Sequence, residues 1–166
     1  FTQVLGPTTP WGGGDWTVIN RIVAHPTDPN KLLIASSNPG ARIYNASDNS
    51  VTPMSSDSWA NGSVTDVDIS SDGQTVLVTL GGGGDCYRSI DGAQTFEKLD
   101  GMPGNNTIPG VGFPQSNVGR LEMAISPDDG NYMFALGATN SGRMSGVWYS
   151  VNRGDNWFRM WPSNLS

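Results

Sequence analysis

The chain has little positive charge and almost no sulfur or imidazole. Lys and Arg together number nine against fifteen Asp and Glu, giving a net charge of −6. No basic run exists to follow a phosphate backbone, so nucleic acid is excluded as an expected partner. A single cysteine, Cys86, rules out an intrachain disulfide. It reads as a small, half-buried strand residue, because the single histidine, His25, has nothing in the sequence to place it beside a thiolate. No apolar run approaches the roughly 18 residues that span a bilayer, so no membrane span is expected. No window carries a capped 3.6-residue period either, and no long helix is expected.

Turn formers are what the chain has in excess. There are 22 Gly and 11 Pro in 166 residues, and charged residues make up only 14%, a composition of many short strands. Phe1 opens the chain without Met or an apolar leader, which reads as a processed or partial N-terminus. Sparse lysine, abundant Asn, Ser, Thr and Gly, and six Trp suggest an exported, extracellular or cell-surface protein. Asn-x-Ser/Thr sequons stand at Asn45, Asn61, Asn105 and Asn164.

The most informative stretch is Ser89-Ile90-Asp91-Gly92-Ala93-Gln94-Thr95-Phe96. Ser and Asp fold their oxygens onto nearby N–H groups, Gly takes a positive φ, and Thr-Phe starts a return strand. The same grammar returns at Ser150, Asn152, Gly154 and Trp157, with a weaker echo from Asn45. Hairpin turns recur as well, at Pro26–Asn30, Ser71–Gly73 and Pro127–Gly130. Aligning them makes His25, Ser70 and Ser126 equivalent, and Asn45, Ser89 and Ser150 equivalent. A repeat of about 45–60 residues with four short strands is the size of a propeller blade. The expected architecture is all-β, with blades near 18–53, 64–100 and 118–161 and an entering edge segment at 1–17. Propellers close at about 4–8 blades, so further blades from the same chain or a partner chain are expected.

These turns, each after a hairpin, resemble Asp-box (BNR) repeats. Such repeats occur in sialidases, sortilin-like propellers, xyloglucanase-like glycosidases, plant photosystem assembly factors and secreted Bacteroidetes surface proteins. The run Arg21-Ile22-Val23-Ala24-His25-Pro26-Thr27-Asp28-Pro29-Asn30 is similar to a blade opening of the xyloglucanase-like and surface-protein groups. The box is structural and shared by proteins of unrelated function. It supplies too few oxygens for calcium, and no metal or cofactor is implied.

Three sets of residues are candidates for function. The first strands align Arg21, Asp66 and Glu122, a charged position lying toward a propeller's channel. It makes either an inter-blade ion pair or a polar ligand site. A glycosidase would need two carboxylates, drawn from Asp66, Asp68, Asp85 and Glu122. The resemblance to xyloglucanases implies an acid in the loop Ser37-Asn38-Pro39-Gly40-Ala41, where Asn38 stands instead, and Asn is no general base. A sialidase-like arginine triad is not marked among Arg21, Arg42, Arg120 and Arg143. Trp11, Trp16 and Trp59, in Gly-, Ser- and Asn-rich loops, are candidates for stacking on a sugar or partner, or for capping a blade edge. Arg143 sits in a further variable loop. The expected function is non-enzymatic binding of a protein or glycan, or a structural role, with a glycoside hydrolase as the alternative. An assembly factor of the photosystem type would need a basic face that this acidic chain lacks.

Overall fold

The structure is a computed structural model describing residues 16–99 and 118–161. Trp11, the segment before Trp16, the sequons at Asn105 and Asn164, and the loop 100–117 lie outside the described residues.

Among the described residues, twelve strands form three separate four-stranded antiparallel sheets, each in simple meander order. The first holds β1 (Thr17–Ala24), β2 (Lys31–Asn38), β3 (Ala41–Asn45) and β4 (Ser50–Pro53). The second holds β5 (Val64–Ile69), β6 (Val76–Leu80), β7 (Cys86–Ser89) and β8 (Glu97–Lys98). The third holds β9 (Arg120–Ile125), β10 (Met133–Ala138), β11 (Met144–Ser150) and β12 (Phe158–Trp161). Two elements were not anticipated: β4, and a short 3-10 turn at Ser58–Asn61 between the first two sheets.

Sequence chemistry explains the strands. Val76-Leu77-Val78-Thr79 is β-branched or aliphatic throughout and buried on both faces, as a strand between two packed layers must be. At the hairpin before it, Ser70 Oγ accepts the Thr75 N–H at 2.8 Å and Gly73 takes φ +75°. Each hairpin tip is tied to the next turn of its own sheet: Ala46 N–H to Asn30 O, Gly92 N–H to Gln74 O, and Arg153 N–H to Asn131 O.

The ladders test the alignment of the repeats. His25, Ser70 and Ser126 each donate a backbone N–H across their hairpin, to Lys31, Thr75 and Tyr132, so they are equivalent. Arg21, Asp66 and Glu122 follow, facing Ala35, Thr79 and Leu136. Asn45 is one residue out of place. Tyr44 faces Leu32 as Ser89 faces Val76 and Ser150 faces Met133, so Tyr44 holds the serine position. The three turns are equally long, with eight residues between Ile43 and Thr52, Arg88 and Glu97, and Tyr149 and Phe158, so the one-residue shift came from matching Asn to Ser by chemistry.

Two apolar cores bind the sheets together. Leu33, Ala35, Met54, Val64, Val67 and Val78 form one between the first and second sheets. Leu77, Cys86, Leu121, Met123, Met133 and Trp157 form the other between the second and third. Cys86, expected to be half-buried, is fully buried because the third sheet packs over it.

Candidate functional site

The charged position of the first strands collects Arg21, Asp66, Asp68 and, from the third sheet, Arg120 and Glu122. The side chains of β5 alternate, so Val67 and Ile69 pack toward the first sheet while Asp66 and Asp68 look toward the third. There they meet the edge of β9. Asp66 Oδ2 accepts the Met123 N–H at 2.8 Å, and Asp68 Oδ2 accepts the Ile125 N–H at 2.7 Å. Thr79 Oγ1 donates to Leu121 O at 3.0 Å. An edge strand leaves a row of unpaired backbone groups. Here side chains of the neighbouring sheet satisfy three of them, one at each of the alternate residues Leu121, Met123 and Ile125.

Asp66 has no exposed surface. Its other oxygen accepts the Val67 N–H at 2.9 Å and lies 3.4 Å from Arg21 Nε. Arg21 Nη2 also lies 3.7 Å from Asp68. Burial pushes the Asp66 carboxyl up to about 6, against the opposing pull of the Met123 N–H and Arg21. The nearby Glu122 charge pushes the same way as burial. Glu122 itself is half exposed and paired with Arg120 at 2.6 Å. Asp85 is drawn elsewhere, to Lys98 at 3.1 Å.

The serine–aspartate turns sit at the rim opposite the β2–β3 loop. Ser89 Oγ donates to Asp91 Oδ1 at 2.7 Å and accepts the Ala93 N–H at 2.9 Å. Asp91 Oδ1 accepts the Gln94 and Thr95 N–H groups at 3.0 and 2.9 Å, and Thr95 Oγ1 donates to Oδ2 at 2.6 Å. The hydrogen bonds from Thr95 and Ser89 hold the Asp91 carboxyl down at about 2. Asn152 reproduces the geometry without charge, since Ser150 Oγ donates to its Oδ1 at 3.0 Å and the same Oδ1 accepts the Asn156 N–H at 3.0 Å. Each turn needs two successive left-handed residues, Gly92-Ala93 in one and Arg153-Gly154 in the other. Glycine stands first in one pair and second in the other. Phe96 and Trp157 drop from these turns into the two cores.

The aromatic candidates divide. Trp59 is not an exposed platform: it is 9% exposed, stacks on Tyr87 at 4.4 Å, and meets Phe96 edge-on at 5.0 Å. The 3-10 turn carries it in between the first two sheets, which a loop-like composition could not reveal. Trp16 is half-buried just before β1. Arg143 is exposed in the β10–β11 hairpin, where its backbone N–H donates to Thr139 Oγ1 at 3.1 Å. His25 is a turn residue, its ring held below the ordinary histidine range by partial burial and Lys31. In the Ser37–Ala41 loop, Gly40 has φ +101° and a β-carbon there would meet the Ala60 carbonyl oxygen at 2.3 Å, so the backbone path demands glycine.

The sequence pointed neither to Arg88 nor to the burial of Arg42. Arg88 is 3% exposed and pairs with Glu97 at 2.5 Å and with Asp155 of the third sheet at 2.7 Å. It also donates to the Arg153 carbonyl. Arg42 is 2% exposed and donates to Ala60 O at 2.9 Å and Asn61 Oδ1 at 2.9 Å. The only sequence signal was a charge in the middle of an otherwise apolar strand.

No protein-family model and no curated protein matches the chain. Among solved structures it is similar to the GH74 enzyme of Niastella koreensis, with a TM-score of 0.65 and 17% identity over 95% of this chain and 24% of that one. It is also similar to the GH74 xyloglucanase of Xanthomonas campestris, with a TM-score of 0.55 and 14% identity over 81% of this chain and 19% of that one. The chain thus spans a quarter or less of these enzymes' length, and at such identities the likeness is one of fold. With that likeness and its three meander sheets, the chain is an all-β run of three antiparallel blades of β-propeller type.

Proposed function

We propose that the chain is a non-enzymatic, extracellular β-propeller module that binds a glycan or protein, or serves structurally in a cell-surface assembly. The observation that carries this reading is the use of Asp66 and Asp68. Both are acceptors for β9 backbone N–H groups and partners of Arg21, which makes them ties between blades. A hydrolytic pair would need two carboxyls open to a sugar. Arg143 and the Asp85 loop, on the same side as the β2–β3 loop, are the surface on which a ligand would be recognised. The exported, Asp-box character of the sequence supports the extracellular setting.

A glycoside hydrolase is the second reading. It is favoured by the likeness in fold to two GH74 enzymes and by one carboxyl raised to about 6 beside a second acid, Glu122, the arrangement that suits a general acid. The two readings separate cleanly. The chain is incubated with xyloglucan and other soluble β-glucans, with new reducing ends and retardation in affinity electrophoresis measured together. Retardation without new reducing ends supports the binding module. Turnover that disappears when Asp66→Asn and Glu122→Gln are combined sinks it in favour of the hydrolase.

A further inference from the structure

Four steps among the described residues place Asn or Asp before Gly: Asn61-Gly62, Asp72-Gly73, Asp91-Gly92 and Asp129-Gly130. At such a step the Gly nitrogen can attack the preceding side-chain carbonyl carbon, because Gly has no Cβ to obstruct the approach. The fold treats the four steps differently. The Gly62 N–H donates to Trp59 O at 2.9 Å, the Gly73 N–H to Ser70 O at 2.8 Å, and the Gly92 N–H to Gln74 O at 2.9 Å. The Gly130 N–H meets no acceptor among the described residues. The nitrogen attacks only by giving up its proton and turning its peptide plane, and a hydrogen bond to a carbonyl resists both. The carbon under attack differs in the same direction. Arg42 Nη2 holds Asn61 Oδ1 at 2.9 Å. Hydrogen bonds from Ser70 and from Thr95 keep the Asp72 and Asp91 carboxyls below the ordinary carboxylate range, Asp91 at about 2, whereas a carboxyl oxygen departs as water only once protonated. Asp129 is exposed at the tip of the β9–β10 hairpin. Its Oδ1 accepts from Asn131, from the backbone N–H at 2.9 Å and from Nδ2 at 2.8 Å, which folds the carboxyl back along the Gly130 peptide.

We infer that Asp129 is a covalent modification site, at which the folded chain closes a succinimide ring and reopens it as isoaspartate, while the fold holds Asn61, Asp72 and Asp91 shut. In the first step the Gly130 nitrogen bonds to Asp129 Cγ and gives up its proton. The bond from Cγ to its hydroxyl breaks, and one water leaves. In the second step one water adds back to a ring carbonyl. Addition at Cγ restores aspartate. Addition at the main-chain carbonyl carbon breaks its bond to the Gly130 nitrogen, and the chain then runs through Cγ as isoaspartate. No oxidant or cofactor enters, and the water lost is the water regained. The product adds one carbon to the main chain at the hairpin tip. The Asp129 carbonyl that accepts the Tyr132 N–H at 3.0 Å becomes part of a free carboxylate. Asn131, two residues on, accepts the Arg153 N–H at 3.1 Å and so steadies the turn at Ser150–Trp157. Gly130 itself lies against Ser70 of the second sheet, whose Cβ a methyl group there would meet at 3.3 Å. Isoaspartate at this position therefore loosens the turn that carries Trp157 into the core.

The test ages the folded chain for several weeks in heavy-oxygen water at mildly acidic pH, beside a guanidinium-unfolded sample. Each ring opening adds one heavy oxygen, which peptide mapping assigns to a residue, and electron-transfer fragmentation separates isoaspartate from aspartate. Each step is compared with its own rate in the unfolded chain. Asp129 is expected to react within a few-fold of that rate. Asn61, Asp72 and Asp91 are expected to be slowed about tenfold or more, the factor that one net hydrogen bond adds to a barrier. Gly130→Ala is expected to slow the reaction at Asp129, and Asp129→Asn to speed it with release of ammonia. In the isoaspartate fraction the Arg153 N–H is expected to exchange faster with solvent. Three results overturn the inference. In one, Asp129 is slowed as strongly as the other three, in the Asp129→Asn chain as well, which means that the hairpin itself holds the step shut. In another, Asn61, Asp72 or Asp91 reacts at its unfolded rate, which means that a bonded Gly N–H gives no protection. In the third, exchange at Arg153 is the same with aspartate and with isoaspartate, which removes the link from this site to the turn.

Discussion

At Asp66, burial and ionisation oppose each other. The carboxyl titrates at about 6 in the folded protein against 3.8 in the unfolded chain, so the folded state holds the proton more tightly between those values. Unfolding there releases a proton, and stability falls as pH rises from about 4 to about 6, then stays level. The span is on the order of 3 kcal/mol. Asp66→Asn is expected to abolish this slope in urea-unfolding midpoints measured across that window. Asp91 has the opposite sign. Its hydrogen bonds favour the charged form, so its contribution is present above the ordinary carboxylate range and is lost as pH falls through about 2. The turns also depend on backbone conformation. Gly154 has φ +87°, and Gly154→Ala is expected to cost about 1–2 kcal/mol by thermal unfolding, the penalty for a side chain in the left-handed region. Ser150→Ala, which removes the acceptor for the Gly154 N–H, is expected to cost about 1–2 kcal/mol.

At the scale of elements, the contacts between sheets decide cohesion. Trp157, with no exposed surface, fills the core between the second and third sheets, and Trp157→Ala is expected to cost about 3–5 kcal/mol in chemical denaturation. Arg88 joins the same two sheets from the polar side. Its carboxylate partners are 44% and 60% exposed and therefore screened, so Arg88→Met is expected to cost less, about 1–2 kcal/mol, with protection from hydrogen exchange lost first around Asp155. Much of this level was legible in the sequence. Strand positions followed from alternation, and the Arg21–Asp66 contact followed from counting back from the hairpins. What was missed has identifiable causes. The fourth strand of the first sheet, Ser50-Val51-Thr52-Pro53, is short and follows a turn without Gly or an aromatic residue. Trp59 looked like a loop residue because its burial depends on Tyr87 and Phe96, distant in sequence.

Across the whole molecule, the arc is unequal at its ends. Apolar residues of the third sheet face solvent, while the centre of the first sheet's leading face is covered. The sequence by itself determined the repeat, its strands apart from the fourth of the first sheet, and the alignment of Arg21, Asp66 and Glu122, because turn chemistry and side-chain alternation are local properties of the chain. Tertiary structure alone decided what those charges do. Whether Asp66 meets water, a sugar or a backbone N–H depends on the sheet packed against it, and that sheet is 57 residues further along the chain. The same dependence holds at Glu122, where the register position matches Asp66 but no sheet of the described residues covers it. One aligned position is therefore a buried tie in the second sheet and an open carboxylate in the third.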